Sequence, residues 1–144
     1  MATYVLGMNA GLYQGAAGST TPSSMSEVDN VRYVTLSMEA GEADITTRGN
    51  NGWRATAPTL RECTVEFQMV WKPGDTVFEA IKNAFLTAGT VALAVLDQKV
   101  GITGAQGPLG DFSITNFSRN EALEEAIVAD VTAKLAVFVE WHEV

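Results

Sequence analysis

A chain of 144 residues, 47% hydrophobic and 18% charged, is most simply one domain. It can bury roughly 70% of its unfolded surface without disulfides or metals. A net charge of −8 and a pI near 4.5 exclude the basic footprint of ordinary nucleic-acid binding. They leave either plain solubility or a surface that phosphate must pass without sticking.

The single cysteine, Cys63, cannot form an intrachain disulfide, and the missing disulfide framework fits a reducing site of folding. No apolar run approaches the roughly 20 residues of a membrane span. No Lys or Arg precedes Arg32, so a signal peptide lacks its positive region. The expectation is a soluble protein made in the cytoplasm.

Residues 1–30 contain Gly7, Gly11, Gly15 and Gly18, a Ser/Thr/Pro run at 19–24, and two charges, Glu27 and Asp29. They read as an extended N-terminal arm with hydrophobic anchors at Tyr4, Val5, Leu6, Leu12 and Tyr13 that dock on something. Residues 31–144 read as the β core. Over 31–71, Val34, Leu36 and Met38 alternate with Tyr33, Thr35 and Ser37. Cys63, Val65, Phe67, Met69 and Trp71 then alternate with Thr64, Glu66 and Gln68. Period-two alternation predicts two amphipathic strands, joined by a long polar loop at 40–59. Cys63 falls on the apolar face and reads as an inert core thiol.

Lys72-Pro73-Gly74 signals a turn before a helix over 75–87, with Thr76 as cap and Glu79 completing a capping box. Val77, Ile81 and Phe85, joined by Phe78, form its apolar stripe. Residues 90–97 predict a strand buried on both faces, 99–110 a flexible loop, and 111–118 another strand. Residues 118–126 resemble a short helical turn, and 127–141 a long final strand. The predicted class is mainly β (α+β): an antiparallel sandwich or barrel with one flanking α-helix.

Catalytic chemistry finds no purchase. His142 is the only histidine and lies near the C-terminus, so no base stands ready for a serine or cysteine nucleophile. One Cys and one His cannot supply the roughly four ligands of a zinc site. Glu39, Glu42 and Asp44 could hold a divalent cation, yet Arg48 and Arg54 offer simpler partners. Gly101, Gly104, Gly107 and Gly110 recur every third residue without the Lys-Ser/Thr of a phosphate loop. Adjacent Glu124 and Glu125 cannot face each other across a substrate. No catalytic, cofactor or metal residue is assigned, and the chain is not expected to be an enzyme.

The order of these elements, with the Asp-Ile-Thr-Thr-Arg-Gly-Asn loop at 44–50 and Phe-Ser-Arg-Asn-Glu-Ala-Leu-Glu-Glu-Ala at 117–126, resembles the major tail tube proteins of long-tailed bacteriophages. The resemblance covers about 30–135 and implies hexameric rings stacked into a tube around a lumen. The implied partners are further copies of the chain, a tape-measure protein, tail tip and tail terminator proteins, and double-stranded DNA in transit without specific binding. Asp44, Arg48, Asn50, Trp53 and Arg54 become candidates for contacts between subunits. Thr64, Glu66 and Gln68 with Asp130 and Thr132 become candidates for the lumen wall, where carboxylates repel phosphate, with Lys134 on the same face weakening that field. The sequence leaves the reverse assignment of sheet faces open. Two other readings stand beside it: a ring-forming inner tube subunit of a contractile tail, secretion system or gene-transfer particle, and a small-molecule-binding β-barrel.

Overall fold

Alternating apolar and polar side chains build almost the whole molecule from strands. The computed structural model describes residues 4–144. Seven strands, β1 (Gly11–Ala16), β2 (Ser26–Glu27), β3 (Val31–Asp44), β4 (Thr56–Val70), β5 (Thr90–Leu96), β6 (Gln106–Asn120) and β7 (Val128–Glu143), form one sheet in the order β2-β1-β5-β6-β7-β4-β3. Every neighbouring pair is antiparallel. The one α-helix among the described residues, α1 (Thr76–Leu86), packs on β5 and β6. Among the described residues no helix is long and apolar enough to cross a membrane. The predicted class, mainly β with one flanking helix, is the one observed.

The sheet rolls, so that strands from both ends of its order share one core. Leu12 of β1, Val91 and Leu93 of β5, Phe112 of β6, Val131 of β7, and Val65 and Phe67 of β4 are buried together, with Val34 and Leu36 of β3 packed against them. The helix seals this face with Val77, Phe78, Ile81 and Ala84. A smaller cluster of Tyr13, Ala94, Leu96 and Leu109 lies on the opposite face of β1, β5 and β6, because these residues alternate with the first set. Strand β5 is therefore buried on both faces, as its unbroken apolar run predicts.

Several boundaries differ from expectation. Part of the arm assigned to 1–30 belongs to the sheet, since β1 pairs along its length with β5 and also with the short β2. The loop expected over 40–59 contracts to 45–55, because β3 and β4 stay paired out to Asp44 and Thr56. Polar, exposed residues there sustain a ladder because the hairpin pairs its own backbone without needing a core. Strand β6 starts at Gln106, inside the expected 99–110 loop, and runs through Asn120, so the helical turn expected at 118–126 shortens to one turn in which the Glu125 amide donates to the Ala122 carbonyl at 3.3 Å. Its glycines are a packing requirement: a Cβ on Gly107 would sit 1.6 Å from the Val95 carbonyl oxygen.

The helix begins one residue earlier than the Thr76 cap predicted. Asp75 is the N-cap, its carboxylate accepting from the Phe78 amide at 3.2 Å, and Thr76 is the first helical residue. Glu79 reaches back to accept from the Gly74 amide at 3.3 Å. Its carboxyl is held below the usual range by Lys82, 2.6 Å away, and by that amide. Phe85 is 40% exposed, and the stripe turns toward Ala84 instead. Phe85 stacks near-parallel on Phe117, ring centres 6.3 Å apart.

Candidate functional site

Two features stand apart from the core: one polar sheet face and one projecting hairpin. The ladder between β4 and β7 pairs Thr64 with Lys134, Glu66 with Thr132, and Gln68 with Asp130. In both strands the alternate residues Val65, Phe67, Val131 and Ala133 are buried. All five wall candidates, Thr64, Glu66, Gln68, Asp130 and Thr132, therefore share the face turned away from the core. Gln68 Nε2 donates to Asp130 Oδ1 at 3.0 Å, fixing one rung of that face.

The same face extends further than the sequence indicated. On β3, Tyr33, Thr35 and Ser37 lie opposite Gln68, Glu66 and Thr64. On β6, Asn116 and Ser118 lie opposite Thr132 and Asp130. The β3 residues carried a visible period-two signal. Those on β6 did not, because a register shift between Ile114 and Asn116 resets the alternation at Thr115. Glu66, Asp130 and Lys134 supply charge to a surface otherwise made of hydroxyls and amides.

Beyond the β4–β7 ladder the β3–β4 hairpin leaves the core, and residues 56–62 are exposed or half-exposed. Its tip folds on itself. The Thr46 amide donates to Asp44 Oδ1 at 2.9 Å, and Thr46 Oγ1 accepts from the Ala55 amide at 2.9 Å. Hydrogen bonding from Thr46, side chain first and then backbone, holds the Asp44 carboxyl below its usual value. Asn50 closes the turn from both sides, its Nδ2 donating to the Trp53 carbonyl at 3.0 Å and its own carbonyl accepting from the Trp53 amide at 3.0 Å. Asn51 and Gly52 turn the chain at φ of 52° and 80°.

The structure thus divides the tip candidates. Asp44 and Asn50 place polar atoms within their own hairpin, whereas Arg48 and Arg54 form no ion pair among the described residues. Trp53 is 75% exposed. The arm candidates divide as well. Leu12 and Tyr13 are buried in the chain's own sheet, so what they dock on is β5 and the core beside it. The Tyr13 hydroxyl accepts from the Val100 amide at 3.1 Å. Tyr4 is fully exposed and Leu6 exposed. Cys63 is buried, and that burial pushes its thiol up. Among the described residues, no three of His, Cys, Asp and Glu gather as a metal site.

The chain, covered at 98%, superposes on 99% of a chain from the tail of an empty gene transfer agent particle refined with C6 symmetry, at 17% identity and a TM-score of 0.76. It also matches 81% of a chain from the SPP1 tail tube, at 16% identity, TM-score 0.74 and 98% coverage of this chain. A chain from the anti-feeding prophage baseplate is similar at 6% identity and TM-score 0.64, covering 100% of this chain and 97% of that one. These likenesses show the fold. A comparison with curated proteins returns no match. The model of the family described as phage tail tube protein matches residues 15–138, and the chain belongs to that family.

Proposed function

We propose that this chain is a structural subunit that assembles with copies of itself into stacked hexameric rings, forming the tail tube of a virion or gene-transfer particle. One observation carries the reading: an exposed polar face, continuous over β6, β7, β4 and β3, backed by a helix-sealed apolar core. Two long backbone edges flank that face. Among the described residues, strand β3 has β4 as its only strand neighbour, and β6 is unpaired with β5 beyond Ser113. Open edges recruit further strands, and pairing β3 of one copy with β6 of the next closes a ring that hides both.

The polar face then turns to the lumen, where Glu66 and Asp130 oppose phosphate at short range and Thr64, Gln68 and Thr132 offer no cationic grip. At physiological salt the Debye length is about 8 Å, so only wall charges near the DNA act on it. A tape-measure protein inside the growing tube, and tip and terminator proteins at its ends, complete the reading. Electron microscopy of the purified protein is the test, with sixfold rings and long tubes as the expected result. Monomers at every concentration tried would overturn it. A ligand-binding barrel would instead stay monomeric and gain thermal stability from a small molecule. Its best place is the open groove of about 710 Å³ between Leu12, Val34, Leu36 and Trp141.

A further inference from the structure

We infer that Asn51 and Gly52 form a self-modification site, at which the Asn51 side-chain amide is lost through a cyclic imide to leave aspartate and isoaspartate. Asn51 is the one asparagine of the chain followed by glycine. Both residues are exposed, with φ of 52° at Asn51 and 80° at Gly52. The reaction needs the Gly52 backbone nitrogen to reach Asn51 Cγ, and that approach is open. Gly52 has no Cβ to shield its nitrogen, and nothing lies within 4 Å of where a Cβ would stand. Among the described residues, the Gly52 amide donates no hydrogen bond and the Asn51 side chain makes none. Neither reacting group is held back.

The chemistry requires water and no cofactor. The Gly52 nitrogen gives its proton to water and bonds to Asn51 Cγ. The Cγ–Nδ2 bond breaks, and Nδ2 takes up a proton and leaves as ammonia. Water then opens the cyclic imide at either carbonyl. Cleavage of the new N–Cγ bond leaves aspartate at 51; cleavage of the original peptide bond leaves isoaspartate, with the main chain routed through Cγ. Nothing is oxidised or reduced. The tip at 45–55 holds Arg48 and Arg54 and no Asp or Glu, so its local field favours the anionic nitrogen that attacks.

The other asparagines lack this combination. Asn50 Nδ2 donates to the Trp53 carbonyl, and Asn30 Nδ2 donates to the Val70 carbonyl at 2.8 Å, with branched Val31 next in the chain. Asn9 is followed by Ala10, whose amide donates to the Gly7 carbonyl at 3.2 Å. Asn83 lies in α1, and Asn116 and Asn120 lie in β6 paired with β7, where regular backbone bonds fix the chain. Conversion at 51 changes the tip twice over. It adds a carboxylate between two arginines, and the isoaspartate form inserts a methylene into the main chain inside the turn that Asn50 closes on Trp53. The tip thereby records the age of a free subunit.

The test incubates the folded full-length protein beside a synthetic peptide of residues 49–54 in mildly alkaline buffer, with circular dichroism confirming that the protein stays folded. Trypsin cleavage after Arg48 and Arg54 releases the same Gly-Asn-Asn-Gly-Trp-Arg segment from the protein. Mass spectrometry then reads the exchange of NH2 for OH and which asparagine carries it, and labelling by an isoaspartyl methyltransferase identifies isoaspartate. Both products are expected at Asn51, at a rate within about tenfold of the free peptide, because an exposed tip opens at little cost in free energy. Asn51→Gln should abolish both. A rate below that range, or earlier conversion at another asparagine, would overturn the site. The reaction needs only the folded chain, so neither result touches the stacked-ring reading.

Discussion

At Gly107 the backbone of β6 passes so close to β5 that a single methyl group has no room. A Cβ placed there would lie 1.6 Å from the Val95 carbonyl oxygen, which cannot rotate aside as a side chain would. Gly107→Ala is therefore expected to destabilise the fold by about 3 kcal/mol or more, at the upper end of overpacking penalties, read as a lower unfolding midpoint in urea. Phe67, fully enclosed in the main core, predicts a similar loss by the opposite cause. Its replacement by alanine leaves a cavity and costs about 3–5 kcal/mol in the same assay. Asp44 makes a pH prediction instead. Its carboxyl titrates below its usual value of 3.8, so its contribution to tip order is present above 3.8 and disappears as pH falls through the lower folded value. The Thr46 amide resonance should report that loss in an acid titration by NMR, and Asp44→Asn should abolish the response.

At the level of elements, the tip of the β3–β4 hairpin is separable from the fold. Core residues of β4 begin at Cys63, and the tip between 45 and 55 is tied by hydrogen bonds within the hairpin, at Thr46, Asn50, Trp53 and Ala55. Deleting residues 43–55 and rejoining the strands by a short turn should give a folded protein that does not polymerise. Sedimentation velocity checks this, and normal tubes from the deletion would refute the assembly role of the tip. The helix is the contrasting element, because it seals the core through Phe78 and Ile81. Loss of its cap in Asp75→Ala should cost about 1 kcal/mol of stability while the folded protein still assembles.

Across the molecule, the division between a polar face and a sealed core sets what the tube can do. Replacing Glu66 and Asp130 with lysine adds positive charge to the exposed face while the buried face, with Val65, Phe67 and Val131, is untouched. The expected outcome is tubes of ordinary form that now retain double-stranded DNA, with retention falling steeply as salt rises. Unaltered passage of DNA through such tubes would count against these residues lining the lumen.

Period-two alternation over 31–38 and 63–71, the unbroken apolar run at 90–96, and the capped helix were legible in the residues themselves, because local side-chain direction dictates them. So was the membership of Thr64, Glu66, Gln68, Asp130 and Thr132 in two polar strand faces. That these faces are one surface was decided by the β4–β7 register, a pairing between segments about 60 residues apart that no local pattern encodes. Tertiary structure also turned Leu12 and Tyr13 from an arm into core and carried β6 through a glycine-rich stretch that reads as loop. Glycine in a strand signals weakness until the opposing backbone is known, and only the folded sheet supplies it.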